Sequence, residues 1–346
     1  MGRSSNNAQV RLRNLQLIRD TLKTMAWGTK NTLAEQTGLS VATCGNLLSV
    51  MLEKGEVIEL SADRPSGGRP ARRFQYNADY YHTLCLACEA GGAGEKARAG
   101  YTICDALGQR VKAGEAQLES PVRDRIEGLI AQALEDFPDI RAIGIGLPGV
   151  VAQGRVLSCD LVELQGLNLG GDWERRFGAA VELCNDMNCC AYGYHQSAAL
   201  PAGDTNAYLI FPQGGAGFGP GCGIVVDGKV ISGSTHLAGE VGCLPYPGGL
   251  KKMLSDLEDA AGRIAAASFV IAAIVAVVNP AVVTVSGAGV AQADLEAVRA
   301  ACEAYIPEGH MPALVYRADN RTDYLRGLLA LTQQRLRYPE GEGQPV

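Results

Sequence analysis

"NAYLIFPQGGAGFGPGCGIVVDGKVISG", residues 206–233, decides the class of the larger part of this chain. An apolar run, a glycine-rich loop, a second apolar run and an Asp-Gly turn into a third make the pattern of strands joined as hairpins. The same pattern continues on both sides. "LCLACEAGGAG" (84–94), "ARAGYTICDALGQRV" (97–111), "RAIGIGLPGVV" (141–151) and "AVVTVSGAGV" (281–290) are short apolar strands broken by glycine. Helical segments are expected between them, near 122–137, 188–199, 257–278 and 291–305. The body is therefore α/β. Because "DALGQ" and "VDGKV" join antiparallel strands, mixed sheets built as hairpin-then-crossover units are expected in place of one doubly wound parallel sheet.

The front of the chain is written differently. In "NLQLIRDTLKTMA" (14–26), Leu15, Ile18, Leu22 and Met25 fall at helical spacing. Two further helices are expected in "TLAEQTGLSVATCGNLLSVMLEKGEV" (32–57). Ala34 is small where two helices cross, Gly38 suits a left-handed turn, and Cys44 and Leu47 face inward, which is the helix-turn-helix spacing. Ser40 is placed to cap the second of these helices, leaving Ser40, Val41, Thr43 and Asn46 outward to meet base edges or phosphates. Beyond Gly55, "EVIEL" and "RFQYN" read as the two strands of a β-hairpin wing, joined by a segment carrying Arg64, Arg69, Arg72 and Arg73. An extended "GGRPARR" suits Arg69 to a narrow minor groove and the other arginines to phosphates.

Charge agrees with this division. The chain has a net charge of -6, yet residues 1–80 hold eleven Lys/Arg against seven Asp/Glu. The basic part is at the front, where an anionic duplex would bind. The first residues contain no apolar stretch of signal-peptide length, and the longest apolar run, 264–278, reads as too short to span a bilayer, so a cytoplasmic protein is expected. Eleven cysteines without framework spacing indicate reduced thiols packed as small hydrophobes.

The succession of a helical front module, a glycine loop, "IGIGLPGVV", "CNDMNCCAYG" (184–193), "GFGPGCGIVVDGKVISGSTHLAGEVG" (217–242) and "NPAVVTVSGAGV" (279–290) resembles the ROK family, sugar kinases and their repressor relatives. The resemblance runs from about residue 14 to residue 331 and implies a two-lobed, actin-like (ribonuclease-H-type) ATPase fold behind an N-terminal winged helix-turn-helix. The implied division is 1–80 for DNA binding, 81–200 for a first α/β lobe, and 201–346 for a shortened second lobe with a C-terminal helix. It also implies a sugar site: Asp186 takes the family's general-base position, Asn185 a hydroxyl-binding one, and Glu240 that of another sugar ligand. His236, in the same loop as Glu240, is a further ligand candidate.

Departures from the family pattern fall on the phosphate and metal machinery. The first phosphate loop reads "EAGGAG", with Glu89 in the place of an aspartate and Ala93 in that of a hydroxyl residue; the second carries Phe218 where threonine is usual. The zinc-bearing relatives use a histidine and a CxCGxxGC run, whereas this chain has Cys243 in the histidine's position and no cysteine cluster after it. Neither metal nor other cofactor is expected, and no catalysis. The reading is a DNA-binding transcriptional regulator, expected as a repressor and a homodimer, whose body senses a small molecule with sugars and sugar phosphates the first candidates, away from any membrane. Two alternatives stand beside it: an ATP-dependent sugar kinase, and a DNA-binding protein whose body is only a dimerisation platform.

Overall fold

The computed structural model describes residues 2–60, 71–91, 96–200, 203–213 and 218–337. These divide into two compact units, the chain up to His82 together with the 104–111 turn, and the remainder. In the first unit, α1 (Gly2–Thr24), α2 (Lys30–Thr37) and α3 (Val41–Glu53) precede two strands, β1 (Val57–Leu60) and β2 (Arg73–Tyr76). The strands pair antiparallel with Val57 opposite Tyr76. Leu15, Ile18 and Leu22 of α1 are buried with Leu33, Cys44, Leu48 and Met51. The first helix starts at Gly2, well before the segment from which it was expected, and Met25 lies past its end. Gly38 closes α2 at φ 71°, its N–H donating to the carbonyl of Ala34, and Ser40 caps α3 by accepting from the Thr43 N–H. Glu56 is 1% exposed. It is held by Arg19 and by the Tyr76 hydroxyl at 3.2 Å, the partners that a buried carboxylate requires.

The second unit holds most of β3 (His82–Glu89), β4 (Arg98–Cys104) and β5 (Arg110–Gln117), then α4 (Val122–Asp136), β6 (Ile140–Leu147), a small ribbon of β7 (Gly149–Ala152) and β8 (Arg155–Cys159), α5 (Leu169–Phe177), β9 (Ala180–Asn185) and α6 (Asp186–Ser197). Five of these strands form a sheet in the order β5-β4-β3-β6-β9. Strands β10 (Asn206–Ile210), β11 (Gly221–Val226) and β12 (Lys229–Val230) follow, then α7 (Gly249–Asp256), α8 (Ala260–Val278), β13 (Val282–Ser286), α9 (Leu295–Glu303), β14 (Ala313–Arg317) and α10 (Arg321–Arg337). The second sheet runs β12-β11-β10-β13-β14. It is mixed: β10 is antiparallel to β11 and parallel to β13, and β13 is parallel to β14. The turn into β12 uses Asp227 at φ 51° and Gly228 at φ 71°, the left-handed pair that an Asp-Gly hairpin needs.

Glycine decides how the layers meet. A Cβ on Gly144 would lie 1.9 Å from Thr332 Oγ1, and one on Gly146 would lie 2.3 Å from the Tyr324 hydroxyl, so β6 accepts α10 directly on its backbone. Helices α6 and α10 cross at Gly193 and Gly327, where Cβ atoms would fall 1.8 Å from the Asp323 carbonyl and 1.9 Å from the Cys189 carbonyl. The C-terminal helix, expected with the second lobe, thus packs on α6, β6 and β9.

Two expected helices start elsewhere than the sequence indicated. The one expected over 257–278 starts at Ala260, because α7 ends at Asp256 and Asp259 caps a new helix by accepting from the Gly262 N–H. Starting at Ala260, α8 has 19 residues and a peak mean hydropathy of 2.2, long and apolar enough to cross a membrane by length and composition, contrary to the sequence reading. Ala266, Ala267, Val270, Ile271, Ile274 and Val275 are instead buried in the second sheet's core. The helix expected at 188–199 begins at Asp186, which places that carboxyl in its first turn.

Gly327→Ala should lower stability in urea unfolding by about 2 kcal/mol or more, or prevent soluble folding, as overpacking against a backbone cannot relax through side-chain movement. Gly128→Ala, where an added Cβ meets nothing within 4 Å, is the control and should stabilise by about 0.5–1 kcal/mol. Equal effects from the two substitutions would refute the crossing as a close-packed contact.

Candidate functional site

At the carboxyl end of β9 the chain passes directly into α6, and the sequence-predicted pair falls on that junction. Asn185 is its N-cap: Oδ1 accepts from the Asn188 N–H at 2.8 Å, while Nδ2 donates to the Gly149 carbonyl at 2.8 Å. Both ends of the amide are therefore engaged within the chain, tying α6 to the start of the β7–β8 ribbon. Asp186 is half-buried and accepts from the Met187 N–H at 2.8 Å. Burial is the main cause that pushes its carboxyl up to about 7, helped by the negative charges of Asp160 and Glu240 and opposed by the Met187 N–H.

Those two carboxylates complete the arrangement. Glu240, half-buried before a 3-10 turn at Val241–Cys243, is raised by burial and then by Asp160. Asp160, following β8, is itself raised by burial, and its N–H donates to the Pro148 carbonyl at 2.9 Å. Sequence reading missed Asp160. Its only signal was an acidic residue directly after a strand, which is common in turns. His236 is placed in the left-handed region at φ 60°, and its ring makes no hydrogen bond or ion pair among the described residues. Asp186 thus feels the charges of both Asp160 and Glu240, and Glu240 that of Asp160, whereas no interaction ties His236 to them among the described residues.

The phosphate side is arranged otherwise. Glu89, at the end of β3, pairs with Arg98, whose Nη2 lies 2.6 Å from its carboxylate. Ala93 and residues 214–217 lie outside the described residues. In the rest of the second glycine segment, Gly221 and Gly223 face α6: Cβ atoms would come within 2.8 Å of the Met187 side chain and 2.0 Å of its carbonyl. These glycines seat α6 on β11. Cys243 is exposed, and among the described residues no group of three or more His, Cys, Asp or Glu side chains could hold a metal.

The nucleic-acid candidates lie in the first unit. Ser40, Val41 and Asn46 are exposed and Thr43 is half-buried. The Ser40 hydroxyl is in contact with that of Thr43 at 2.8 Å. Arg72 pairs with Glu59 at 3.2 Å, and the Arg73 guanidinium stacks over Trp27, 4.2 Å from the ring centre. Arg64 and Arg69 lie outside the described residues.

Two sheets are thus locked by α6 and α10, with Asp186 in the first turn of α6 at the β9–α6 junction. The model of the ROK family matches residues 102–253. N-acetyl-D-glucosamine kinases of Photobacterium profundum and Vibrio cholerae are 37% and 34% identical over 126 residues. That is 36% of this chain, which spans 40% of the length of these curated relatives. A solved ROK family transcriptional regulator, homologue of the E. coli MLC protein, superposes with TM-score 0.69 at 16% identity, over 94% of this chain and 99% of its own. A ROK glucokinase of Streptomyces griseus, solved with glucose and AMPPNP, gives 0.56 at 16% identity, over 73% and 99%.

The kinases among these relatives overturn the expectation of a chain without enzymatic activity. That expectation set the altered phosphate loops, the missing zinc cluster and the shortened second lobe against Asp186, Asn185 and Glu240. Sequence did not display the burial that pushes the Asp186 carboxyl up to about 7.

Because the folded chain holds the Asp186 proton more tightly than the unfolded chain does, this group's contribution is greatest below pH 3.8 and declines as pH rises to about 7. Unfolding free energies measured at intervals from pH 4 to 8 should show Asp186→Asn losing less stability across that window than the wild type. Parallel curves would contradict the assigned environment.

Proposed function

We propose that this chain is a DNA-binding transcriptional regulator of the ROK type, with a body that binds a sugar at the Asp186 junction and responds to it. The observation that carries this reading is the first unit. Three helices with a Gly38 turn and a Ser40-capped third helix, followed by an antiparallel ribbon, support reading it as a winged helix-turn-helix. The third helix presents Val41 and Asn46 outward, as direct readout of a major groove requires. A repressor acting in the cytoplasm as a two-fold dimer would set two such helices on half-sites about 34 Å apart or a multiple of that. Sugar binding alters DNA affinity only as far as it favours one arrangement of the body over another.

A second reading is supported by the N-acetyl-D-glucosamine kinases among the relatives: phosphoryl transfer to the same sugar. Asp186 would take the proton from the attacking hydroxyl, with Glu240 and Asn185 placing the ring. The two readings share the sugar and differ in its fate.

Thermal melting of the full chain with N-acetyl-D-glucosamine, other hexoses, sugar phosphates and magnesium-ATP tests both. A sugar that raises Tm in the wild type and not in Asp186→Ala supports the site, and silence across the panel overturns it. For the regulator, the stabilising sugar should shift the Kd for a duplex selected from random sequence. For the kinase, ADP and sugar phosphate should form together, falling about 100-fold or more in Asp186→Ala.

A further inference from the structure

The first unit presents a second feature beside its third helix. Lys30, the first residue of α2, is exposed. Its side chain lies across α3 at Gly45, where an added Cβ would come 3.2 Å from Nζ and 3.5 Å from Cδ. Gly45 is buried under it, while Ala42, Asn46 and Ser49, the neighbouring positions on that face, are exposed. The lysine therefore carries a positive charge along the edge of the surface assigned to base contact.

Three residues earlier the chain offers a preset cation. Trp27, 39% exposed, precedes Gly28, which exchanges two 2.8 Å backbone hydrogen bonds with Phe74. This bridge aligns Trp27 with Arg73 in the adjoining strand, and the guanidinium stacks on the indole. A stacked guanidinium loses less freedom on binding than an unstacked one, and its charge is held at the face of the indole. Thr29 does not compete, since its backbone N–H and hydroxyl are both occupied in the capping box with Thr32.

We infer that Lys30 and the Trp27–Arg73 stack form a strip that grips the sugar-phosphate backbone of one DNA strand next to the groove entered by α3. This inference rests on the DNA-binding reading and adds a function: Lys30 and Arg73 supply affinity without sequence preference, while Val41 and Asn46 supply the preference. Gly45 is the residue that lets the lysine lie flat.

The test uses the full chain, a duplex selected by it from random sequence, and a mixed-sequence duplex of equal length, with Kd measured by fluorescence anisotropy over a range of salt. Lys30→Gln should weaken both complexes by a similar factor and reduce the slope of log K against log salt by about 0.9, the value of one phosphate contact. Asn46→Ala should weaken only the selected duplex. Arg73→Lys should retain the slope but lose affinity, because it keeps the charge without the planar stack, and Trp27→Leu should do the same. Melting temperatures of all variants identify any that fail to fold. If the wild type shows no salt-dependent duplex binding, the DNA reading itself falls. If it binds and folded Lys30→Gln and Trp27→Leu leave affinity and slope unchanged, the strip is refuted and the DNA reading stands.

Discussion

The contact on which the body depends is a crossing of two helices with no side chains between them. At Gly193 and Gly327 the backbones of α6 and α10 meet so closely that either Cβ would overlap a carbonyl oxygen. Backbone cannot move aside as a side chain can, so this contact sets the separation of the helices with little tolerance. From the same crossing, α10 reaches the first sheet at Gly144 and Gly146 while α6 lies on the second at Gly223. The first turn of α6 thus inherits its position from packing with both sheets, and Asp186 is in that turn.

This arrangement explains why the carboxyl can be held in an unfavourable setting. Asp186 is pushed up by burial and by two acidic neighbours, and the Met187 N–H offsets only part of that cost. A mobile junction would turn the group to water. Here Asn185, clamped between Asn188 and Gly149, closes the junction from the other side. Such stored electrostatic cost is common where a protein prepares a proton acceptor.

Local signals were legible in the sequence and tertiary ones were not. Gly38 and Ser40 act through their own turn, and "VDGKV" through its own hairpin, so residue type alone indicated their conformations. The mixed sheets followed from those turns. In contrast, the partner of α10 depends on glycines more than a hundred positions away, and their purpose shows only when the helices are placed together. The glycines of "GPGCG" suggested a phosphate cradle, yet Gly221 and Gly223 serve contact with Met187. Asp160 carries no motif and joins the site through the fold alone. The judgement against catalysis failed for a related reason: it gave most weight to the altered loops and the missing zinc cluster, which sequence displays, and could not see the setting of Asp186, which sequence does not display.

The cysteines have a consequence of another kind. Every thiol is buried except that of Cys243, which is exposed three residues after Glu240. Burial also raises the pKa of those at Cys88, Cys189, Cys190 and Cys222, making thiolates scarce there. The native chain thus carries a single readily addressed handle for a fluorophore or spin label, three residues along the chain from Glu240, so that a reporter can watch that loop without any cysteine being removed.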